Sequence, residues 1–229
     1  MGYDKFEGLN QITDAYQKAV AKTILQNELG YKEQTTGYEL THSTGISGWS
    51  FGGYQLDISQ RKEEGIALLK DIFTNQYGQN SWTASIEVAL KSTNKYLLSP
   101  SDKVKIDNAL SSSYGKEILN KDFINELTKV TNHIDKIEIE LQKIKPDLRL
   151  SDGEKLMLAD FHNQYNLGFN TTQSNSMLKK IEDYIELKGD ITPEGLKDLF
   201  KTTDQYKNNK TSQEPRIQRS YEAAKELDA

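Results

Sequence analysis

One segment of the chain places aromatic, amide and acidic side chains between glycines. It runs from Gly48 to Asp57 and reads Gly-Trp-Ser-Phe-Gly-Gly-Tyr-Gln-Leu-Asp. Glycines let the backbone approach a ligand closely, and aromatic rings beside amides and carboxylates suit the binding of sugar rings. The same sequence is also typical of a tight hairpin in which Trp49, Phe51 and Tyr54 simply cap the core. Both interpretations stay open on composition alone.

A second polar block, Tyr165-Asn-Leu-Gly168, follows a helical pattern that ends at Tyr165. The histidines of the chain, His42, His133 and His162, have no H-x-x-x-H or H-E-x-x-H spacing, so the sequence predicts no zinc site. His162 lies beside the second block, where it either lines a cleft or packs within the fold. The glycine-rich segment also lacks the Lys-Ser/Thr of a phosphate-binding loop.

The two blocks together resemble motifs of the lysozyme superfamily. Gly52-Gly-Tyr-Gln55 is similar to the G-x-x-Q signature, which lytic transglycosylases carry as G-L-M-Q, and Gln55-Leu-Asp57 resembles its goose-type form. Tyr165-Asn-Leu-Gly168 is similar to the A-Y-N-A-G motif that follows a later helix in transglycosylases. The resemblance covers about 11–57 and 151–168, and the blocks occur in the family's order.

The resemblance implies one catalytic glutamic acid at the C-terminal end of a helix that opens the cleft. Cleavage of a glycosidic bond needs a carboxyl group that is still protonated near neutral pH, and burial against apolar neighbours raises the pKa of a carboxyl. The candidates are Glu28, which we prefer, Glu33 as the fallback, and Glu39.

Glu28 lies in the last turn before Gly30, one turn after the apolar Leu25. Tyr31 follows it as in the E-x-x-F/Y pattern of the family, although Leu29 stands where the family usually has serine. Glu33 is closer in sequence to the glycine-rich segment, but its neighbours are polar. We therefore expect Glu28 to be the general acid.

Asp57 is the second carboxylate of interest. The goose-type resemblance gives it the role of positioning water in an inverting hydrolysis, in which the two carboxyls stand roughly 6.5–9.5 Å apart. The alternative is that Asp57 caps a helix beginning near Ser59. In that case the resemblance implies a lytic transglycosylase, in which the 6-hydroxyl of the muramic acid attacks in place of water.

The implied substrate is the β-1,4 bond between MurNAc and GlcNAc in bacterial peptidoglycan. Ser50, Gln55 and Asn166 would bind sugar and peptide-stem groups, and Tyr165 would orient the glutamate or stack on the ligand. No metal or organic cofactor is implied. The expected partners are peptidoglycan glycan strands, and the sequence indicates no particular protein partner.

Composition excludes several other classes. The 229 residues carry 29 basic and 34 acidic side chains, a formal charge of −5, and no basic block for nucleic acid. With no cysteine, the chain has neither disulfides nor a thiolate nucleophile. Its apolar runs are far shorter than the roughly 20 residues of a membrane-spanning helix, so we expect no membrane insertion.

Helical periodicity dominates the rest of the chain and predicts a mostly α, lysozyme-like fold with a short β-like, glycine-rich insert near residues 31–57. We expect one domain over 1–229, in which residues 60–150 form a second cleft wall or an accessory helical lobe. The predicted helices cover about 10–30, 59–77, 83–98, a segment from 101, 120–144, 151–165, one that starts after Thr192, and a loosely packed 212–227.

The first residues, Met1 to Phe6, lack the basic start and apolar stretch of a signal peptide. We therefore expect synthesis in the cytoplasm and action at the periplasm or cell wall, reached through a holin, a virion or a secretion system. The alternative function is a non-catalytic helical phage structural or interaction module with a degenerate glycan-binding loop. The residue after Glu28 and the net charge favour this alternative.

Overall fold

The structure, a computed structural model, describes residues 5–30, 36–42, 48–169 and 176–229. These residues form ten α-helices and a small three-stranded sheet, which confirms the prediction of a mostly helical chain. The chain divides into two compact units. The first comprises Met1–Ile12 and Leu25–Asn125, and the second comprises Thr13–Ile24 and Glu126–Ala229.

Two helices contribute residues to both units. They are α1 (Ala15–Leu29) and α5 (Ser113–Leu141). The predicted lobe at 60–150 therefore does not coincide with either unit, since residues 60–125 belong to the first and 126–150 to the second. The expectation of a single domain over 1–229 stays a prediction.

The first unit holds the sheet, which lies within the predicted β-like insert. Its strands are β1 (Thr41–His42), β2 (Trp49–Phe51) and β3 (Leu56–Asp57), antiparallel in the order β1-β2-β3. Ser50 lies opposite both Thr41 and Asp57 in the register. The remaining helices of this unit are α2 (Lys62–Tyr77), α3 (Ala84–Lys91) and α4 (Pro100–Leu110).

An aromatic cluster forms the core around the sheet. Phe6 is fully buried, with its ring 5.0 Å from the ring of Tyr38 in a stack and 5.0 Å from that of Phe123 in an edge contact. The ring of Tyr54 lies 4.7 Å from that of Phe123. The Tyr38 hydroxyl donates a hydrogen bond of 2.6 Å to the side chain of Asn120. The core therefore joins the start of the chain, the insert and α5.

The second unit is helical throughout its described residues. It contains α6 (Asp152–Tyr165), α7 (Met177–Lys188), α8 (Pro193–Lys201), α9 (Asp204–Asn208) and α10 (Lys210–Leu227). A capping box opens α6 at the start of the predicted range 151–165: the Ser151 hydroxyl accepts from the Glu154 N–H, and the Glu154 carboxyl accepts from the Ser151 N–H. The Thr192 cap and Pro193 open α8 as predicted.

A buried ion pair joins α6 to α10. The Arg216 guanidinium donates two hydrogen bonds to the Asp160 carboxylate, at 3.2 and 2.7 Å, and the Ser220 hydroxyl donates a third at 2.7 Å. The side chains of the ion pair are 8% and 7% exposed. Since Ile217 and Ala224 are buried as well, the expectation that this terminal helix is loosely packed was wrong.

Several helix boundaries differ from the prediction, including the start of α1, which is at Ala15 instead of near residue 10. The helix predicted to reach Leu98 ends at Lys91, because the Ser92 hydroxyl and the Asn94 side chain accept hydrogen bonds from backbone N–H groups two residues on. The helix predicted from 120 begins at Ser113, where the Ser112 hydroxyl accepts from the Gly115 N–H. Helix α2 begins at Lys62 instead of Ser59.

Candidate functional site

In the first unit, the turn between β2 and β3 packs against α1. A Cβ atom added to Gly53 would lie 2.6 Å from Cδ2 of Phe123 and 3.0 Å from Cδ2 of Leu25. Only glycine fits this approach, because real Cβ atoms are not found so close to other carbon atoms. Leu25 is one helical turn before Glu28. The glycine-rich turn therefore lies against the end of the helix that carries the preferred acid.

Glu28 occupies the predicted helical position. It lies in the last turn of α1, which ends at Gly30 in the left-handed conformation with a φ of 66°. Glu28 is half-buried, and the neighbouring side chains of Ile24, Leu25 and Leu29 are buried.

The structure bears on one of the other two glutamates. Glu33 lies outside the described residues. The carboxyl of Glu39 accepts a hydrogen bond of 3.0 Å from the Thr36 N–H, so it holds the turn that leads into β1.

The Gln55 side chain is engaged within the sheet. Its Oε1 accepts a hydrogen bond of 2.6 Å from the Thr41 hydroxyl, and its Nε2 donates one of 3.1 Å to the carbonyl oxygen of Gly52. Gln55 also has a φ of 50°. A left-handed conformation is costly for a residue with a long side chain. The predicted ligand-binding amide thus also holds the β2–β3 turn.

Asp57 closes the turn that leads into α2. Its Oδ1 accepts hydrogen bonds from the Ser59 N–H at 2.8 Å and from the Ser59 hydroxyl at 2.6 Å. Its carbonyl oxygen accepts from the Arg61 N–H at 2.9 Å. These contacts are of the capping kind that was the alternative to water positioning, although the N-cap residue of α2 is Arg61.

The aromatic residues of β2 belong to the core. Trp49 is 5% exposed and Phe51 is fully buried, so neither ring presents a face for a sugar. Ser50, predicted to bind substrate, is 5% exposed. The interpretation of the glycine-rich segment as a tight hairpin therefore accounts for the side chains of Trp49, Ser50 and Phe51.

The second predicted block lines a cleft of about 500 Å³ in the second unit, which we call the Tyr165 cleft. Tyr165, Asn166, Leu167 and Gly168 form one wall, where α6 ends. The ring of Tyr165 lies 5.2 Å from that of Phe161, which also lines the cleft. Two predicted binding residues, Tyr165 and Asn166, therefore lie together at a concave surface.

The opposite walls come from residues that the sequence did not single out. They are contributed by the start of α7 and by the turn between α8 and α9: Ser176, Met177, Lys180, Thr202, Thr203, Asp204, Gln205 and Lys207. The Lys180 ammonium of α7 donates a hydrogen bond of 3.1 Å to the Thr202 hydroxyl at the end of α8. The lining mixes two aromatic rings with hydroxyl, amide and charged groups, as polar ligands with apolar faces require.

The two motif residues share an unusual backbone conformation. Within the described residues, Gln55 and Asn166 are the two non-glycine residues with a positive φ, of 50° and 51°. Asparagine is well tolerated in this region and here terminates α6, its N–H donating to the His162 carbonyl. Gln55 is the less common case. Such conformations occur preferentially where backbone geometry serves function.

A pair of histidines stands behind the wall of the Tyr165 cleft. The rings of His133 and His162 are stacked, with centroids 3.9 Å apart and planes 16° apart. His133 Nε2 donates a hydrogen bond to the carbonyl oxygen of Leu167. His162 is thus packed in the fold instead of lining the cleft. Burial and the neighbouring His133 lower the pKa of His162 to about 4.

Two further findings concern the described residues alone. They contain no cluster of three or more histidine, aspartate or glutamate side chains that could hold a metal ion. None of their helices combines the length and the apolar character that crossing a membrane requires.

Comparison with known proteins yields no matching family, no matching curated sequence and no matching solved structure.

Proposed function

We propose that the protein is a peptidoglycan-cleaving enzyme that acts on the β-1,4 bond between MurNAc and GlcNAc. One observation carries the proposal: the glycine-rich β2–β3 turn packs on α1 at Leu25, one turn before the half-buried Glu28. Glu28 thereby lies at a helix end beside this turn, and cleavage of a glycosidic bond requires a carboxyl group as proton donor.

Glu28 is the proposed general acid. It would donate its proton to the leaving oxygen as the bond to the anomeric carbon breaks. The side chains of Leu25 and Leu29, its neighbours in the last turns of α1, are buried. Removal of a general acid typically lowers the rate by about 10²–10⁴-fold.

The role of Asp57 differs between hydrolysis and lytic transglycosylation. In a hydrolase it would activate the attacking water, whereas in a transglycosylase the 6-hydroxyl of MurNAc attacks and a single acid/base group suffices. The hydrogen bonds from Ser59 to Asp57 Oδ1 favour the transglycosylase, because they give this carboxylate a structural task.

The Tyr165 cleft is proposed to bind glycan strands or their peptide stems. The half-buried Tyr165 ring offers apolar surface, and the exposed Asn166 offers an amide. The cleft volume of about 500 Å³ is in the range that holds small ligands. Binding at this cleft is testable independently of catalysis by Glu28.

The test is digestion of purified peptidoglycan sacculi, followed by mass spectrometry of the released fragments. Three proteins are compared: the wild type, Glu28→Gln and Glu117→Gln. The last is a matched control, because Glu117 is an exposed glutamate of α5 in the same unit. We expect the wild type and the control to release fragments at equal rates and Glu28→Gln to be at least about 100-fold slower.

The fragments also identify the chemistry. Anhydro-MurNAc ends indicate a transglycosylase, and reducing ends indicate a hydrolase. Asp57→Asn keeps the acceptor for Ser59, so it should fold; it should abolish activity in a hydrolase and leave a transglycosylase active. Equal activity of Glu28→Gln and wild type would remove Glu28 from the mechanism.

A second candidate function is glycan binding without cleavage. It is favoured by the engagement of Gln55, Asp57 and Trp49 in the fold, which leaves the insert fewer groups for chemistry. In this case the wild type would release no fragments but would co-sediment with sacculi. Tyr165→Ala and Asn166→Ala would then reduce co-sedimentation, whereas Glu28→Gln would not.

A further inference from the structure

The wall of the Tyr165 cleft is held from behind by the two stacked histidines. His133 on α5 contacts the segment 166–169 twice: its Nε2 donates to the Leu167 carbonyl, and its ring lies 4.7 Å from that of Phe169. His162 on α6 stacks on the other side of His133. Leu167 is buried, whereas Asn166 and Gly168 are exposed at the cleft. The segment therefore depends on the histidine pair for its position.

The tautomer of His133 is fixed by this contact. A carbonyl oxygen only accepts hydrogen bonds, so Nε2 of His133 carries a proton when the ring is neutral. A proton added to Nδ1 of His133 would leave the bond to Leu167 intact, whereas full protonation of the pair also needs one on His162.

The second proton meets two obstacles. The Nδ1 atom of His162 is buried and has no hydrogen-bond partner in the described part of the chain, so an added proton there would lack an acceptor. The two charged rings would also be stacked 3.9 Å apart. Both effects destabilise a stack of two charged rings. Protonation of both rings therefore favours their separation.

The surrounding charges do not compensate. Among the described residues, His133 is the one titratable group whose charge acts on His162, and a hydrogen bond with the Leu167 carbonyl is the one influence in the opposite direction. Lys136 and Glu140 of α5 flank Phe169 in a shallow groove and carry opposite charges. Among the described residues, no carboxylate therefore acts on His162 to stabilise its imidazolium.

We propose that the His133–His162 stack is an acid-sensitive latch, which holds the 166–169 wall of the Tyr165 cleft at neutral pH and releases it when both rings become protonated. This inference does not depend on the proposed function. It concerns only the conformation of the 166–169 wall of the Tyr165 cleft.

Linkage gives the expected size of the effect. In the released state His162 regains an ordinary pKa near 6.5, whereas in the closed state its pKa is about 4. Between these two pKa values the released state binds one proton more than the closed state. The equilibrium constant for opening should therefore rise by about tenfold for each unit by which the pH falls. Above pH 6.5 it should be constant.

The test is an NMR titration of the full chain from pH 7.5 to 4. It follows the imidazole signals of the three histidines, the amide signals of 166–169, and an α10 amide such as that of Ala224 as a reporter of the whole unit. We expect His162 to titrate below the ordinary histidine value of about 6.5, and the 166–169 amides to change with the midpoint of His162 while the Ala224 amide does not follow that midpoint. In His162→Gln the low-pH change of 166–169 should disappear, and in His42→Gln it should persist.

Each other outcome contradicts the latch. If 166–169 do not respond while His162 titrates, the pair does not control the wall. If 166–169 and Ala224 change together, acid unfolds the whole unit and no local release exists. Since the wild-type titration alone distinguishes these results, the test holds even if His162→Gln does not fold.

Discussion

The Thr41 hydroxyl donates a hydrogen bond of 2.6 Å to Oε1 of Gln55, and so ties β1 to the turn that precedes β3. The other end of the same amide donates to the Gly52 carbonyl. The Gln55 side chain, which the sequence predicts to bind sugar, therefore also stabilises the sheet. A ligand that binds this amide would have to compete with Thr41.

The contribution of the Thr41–Gln55 hydrogen bond to stability can be measured with a double-mutant cycle. Thr41→Val and Gln55→Ala should each lower the free energy of unfolding by about 1 kcal/mol, because each removes a partly buried hydrogen bond. The double mutant should lose less than the sum, with a coupling of about 0.5–1.5 kcal/mol. Urea denaturation gives all four values.

The conformation of Gln55 supplies the control for that cycle. Gln55→Gly removes the same hydrogen bonds but relieves the positive φ, so it should be about 1 kcal/mol more stable than Gln55→Ala. Strict additivity of Thr41→Val and Gln55→Ala would show that the two side chains do not interact in solution.

Because the β2–β3 turn lies so close to α1, adding one methyl group at Gly53 should strongly lower the free energy of unfolding. Gly53→Ala places a Cβ atom 2.6 Å from Phe123 and 3.0 Å from Leu25, so the turn must shift. We expect a loss of about 1–3 kcal/mol in the free energy of unfolding. Activity on sacculi should fall as well if Glu28 acts beside this turn.

Gly168→Ala is the matched control for this overpacking. Its new methyl group would have its nearest neighbour at 4.0 Å, the carbonyl oxygen of Asn166. Thermal denaturation should place this variant close to the wild type. A Gly53→Ala protein as stable as Gly168→Ala would mean that the hairpin is not packed on α1.

The buried pair of Asp160 and Arg216 should be worth far more than the half-exposed pair of Lys201 and Glu214. Arg216→Met leaves a buried carboxylate without its guanidinium, and we expect a loss of about 3–5 kcal/mol. Lys201→Met breaks a pair with exposed fractions of 29% and 41%, and should cost less than about 1 kcal/mol. Comparable losses in urea denaturation would contradict this ranking.

Glu154 should make the stability of the second unit depend on pH. Burial raises the pKa of its carboxyl to about 7, with the charges of Asp190 and Asp228 adding to the effect and the Ser151 N–H opposing it. The folded chain therefore binds this proton more tightly than the unfolded chain. The stabilisation is full below about pH 4.5 and is lost as the pH rises through 7.

Glu154→Gln isolates this contribution, since glutamine keeps the acceptor for Ser151 and cannot ionise. The variant and the wild type should be similarly stable at pH 4.5, and the variant should be more stable by on the order of 2 kcal/mol at pH 8. Urea denaturation across this range checks it, with the exposed Glu226→Gln as a control that changes nothing. A difference independent of pH would mean that Glu154 ionises normally in the fold.

Local chemistry explains most of what the sequence predicted about the fold. Ser151 with Glu154, Thr192 with Pro193, and the glycines at 30 and 78 act within one turn of their own position, so their effect can be read from neighbouring residues. Helix α7 carried comparable signals, with Leu178, Ile181 and Ile185 on one face and Gly189 after its end, yet it was not predicted.

The candidate site was less predictable because its contacts join distant parts of the chain. The sequence placed Tyr165 and Asn166 at a binding surface, but Lys180 and Thr202 reach the same cleft from other helices. The stack of His133 and His162 likewise depends on how α5 meets α6. No spacing rule within one segment describes such pairs.

The division of the chain has a consequence for its synthesis. Residues 13–24 belong to the second unit, but all of 25–125 must be synthesised before the first residue of 126–229 exists. At roughly 5–20 residues per second, Val20 and Ile24 wait several seconds for the neighbours that bury them. The second unit therefore cannot fold as it emerges, and a nascent chain released early would carry an apolar stretch open to chaperones.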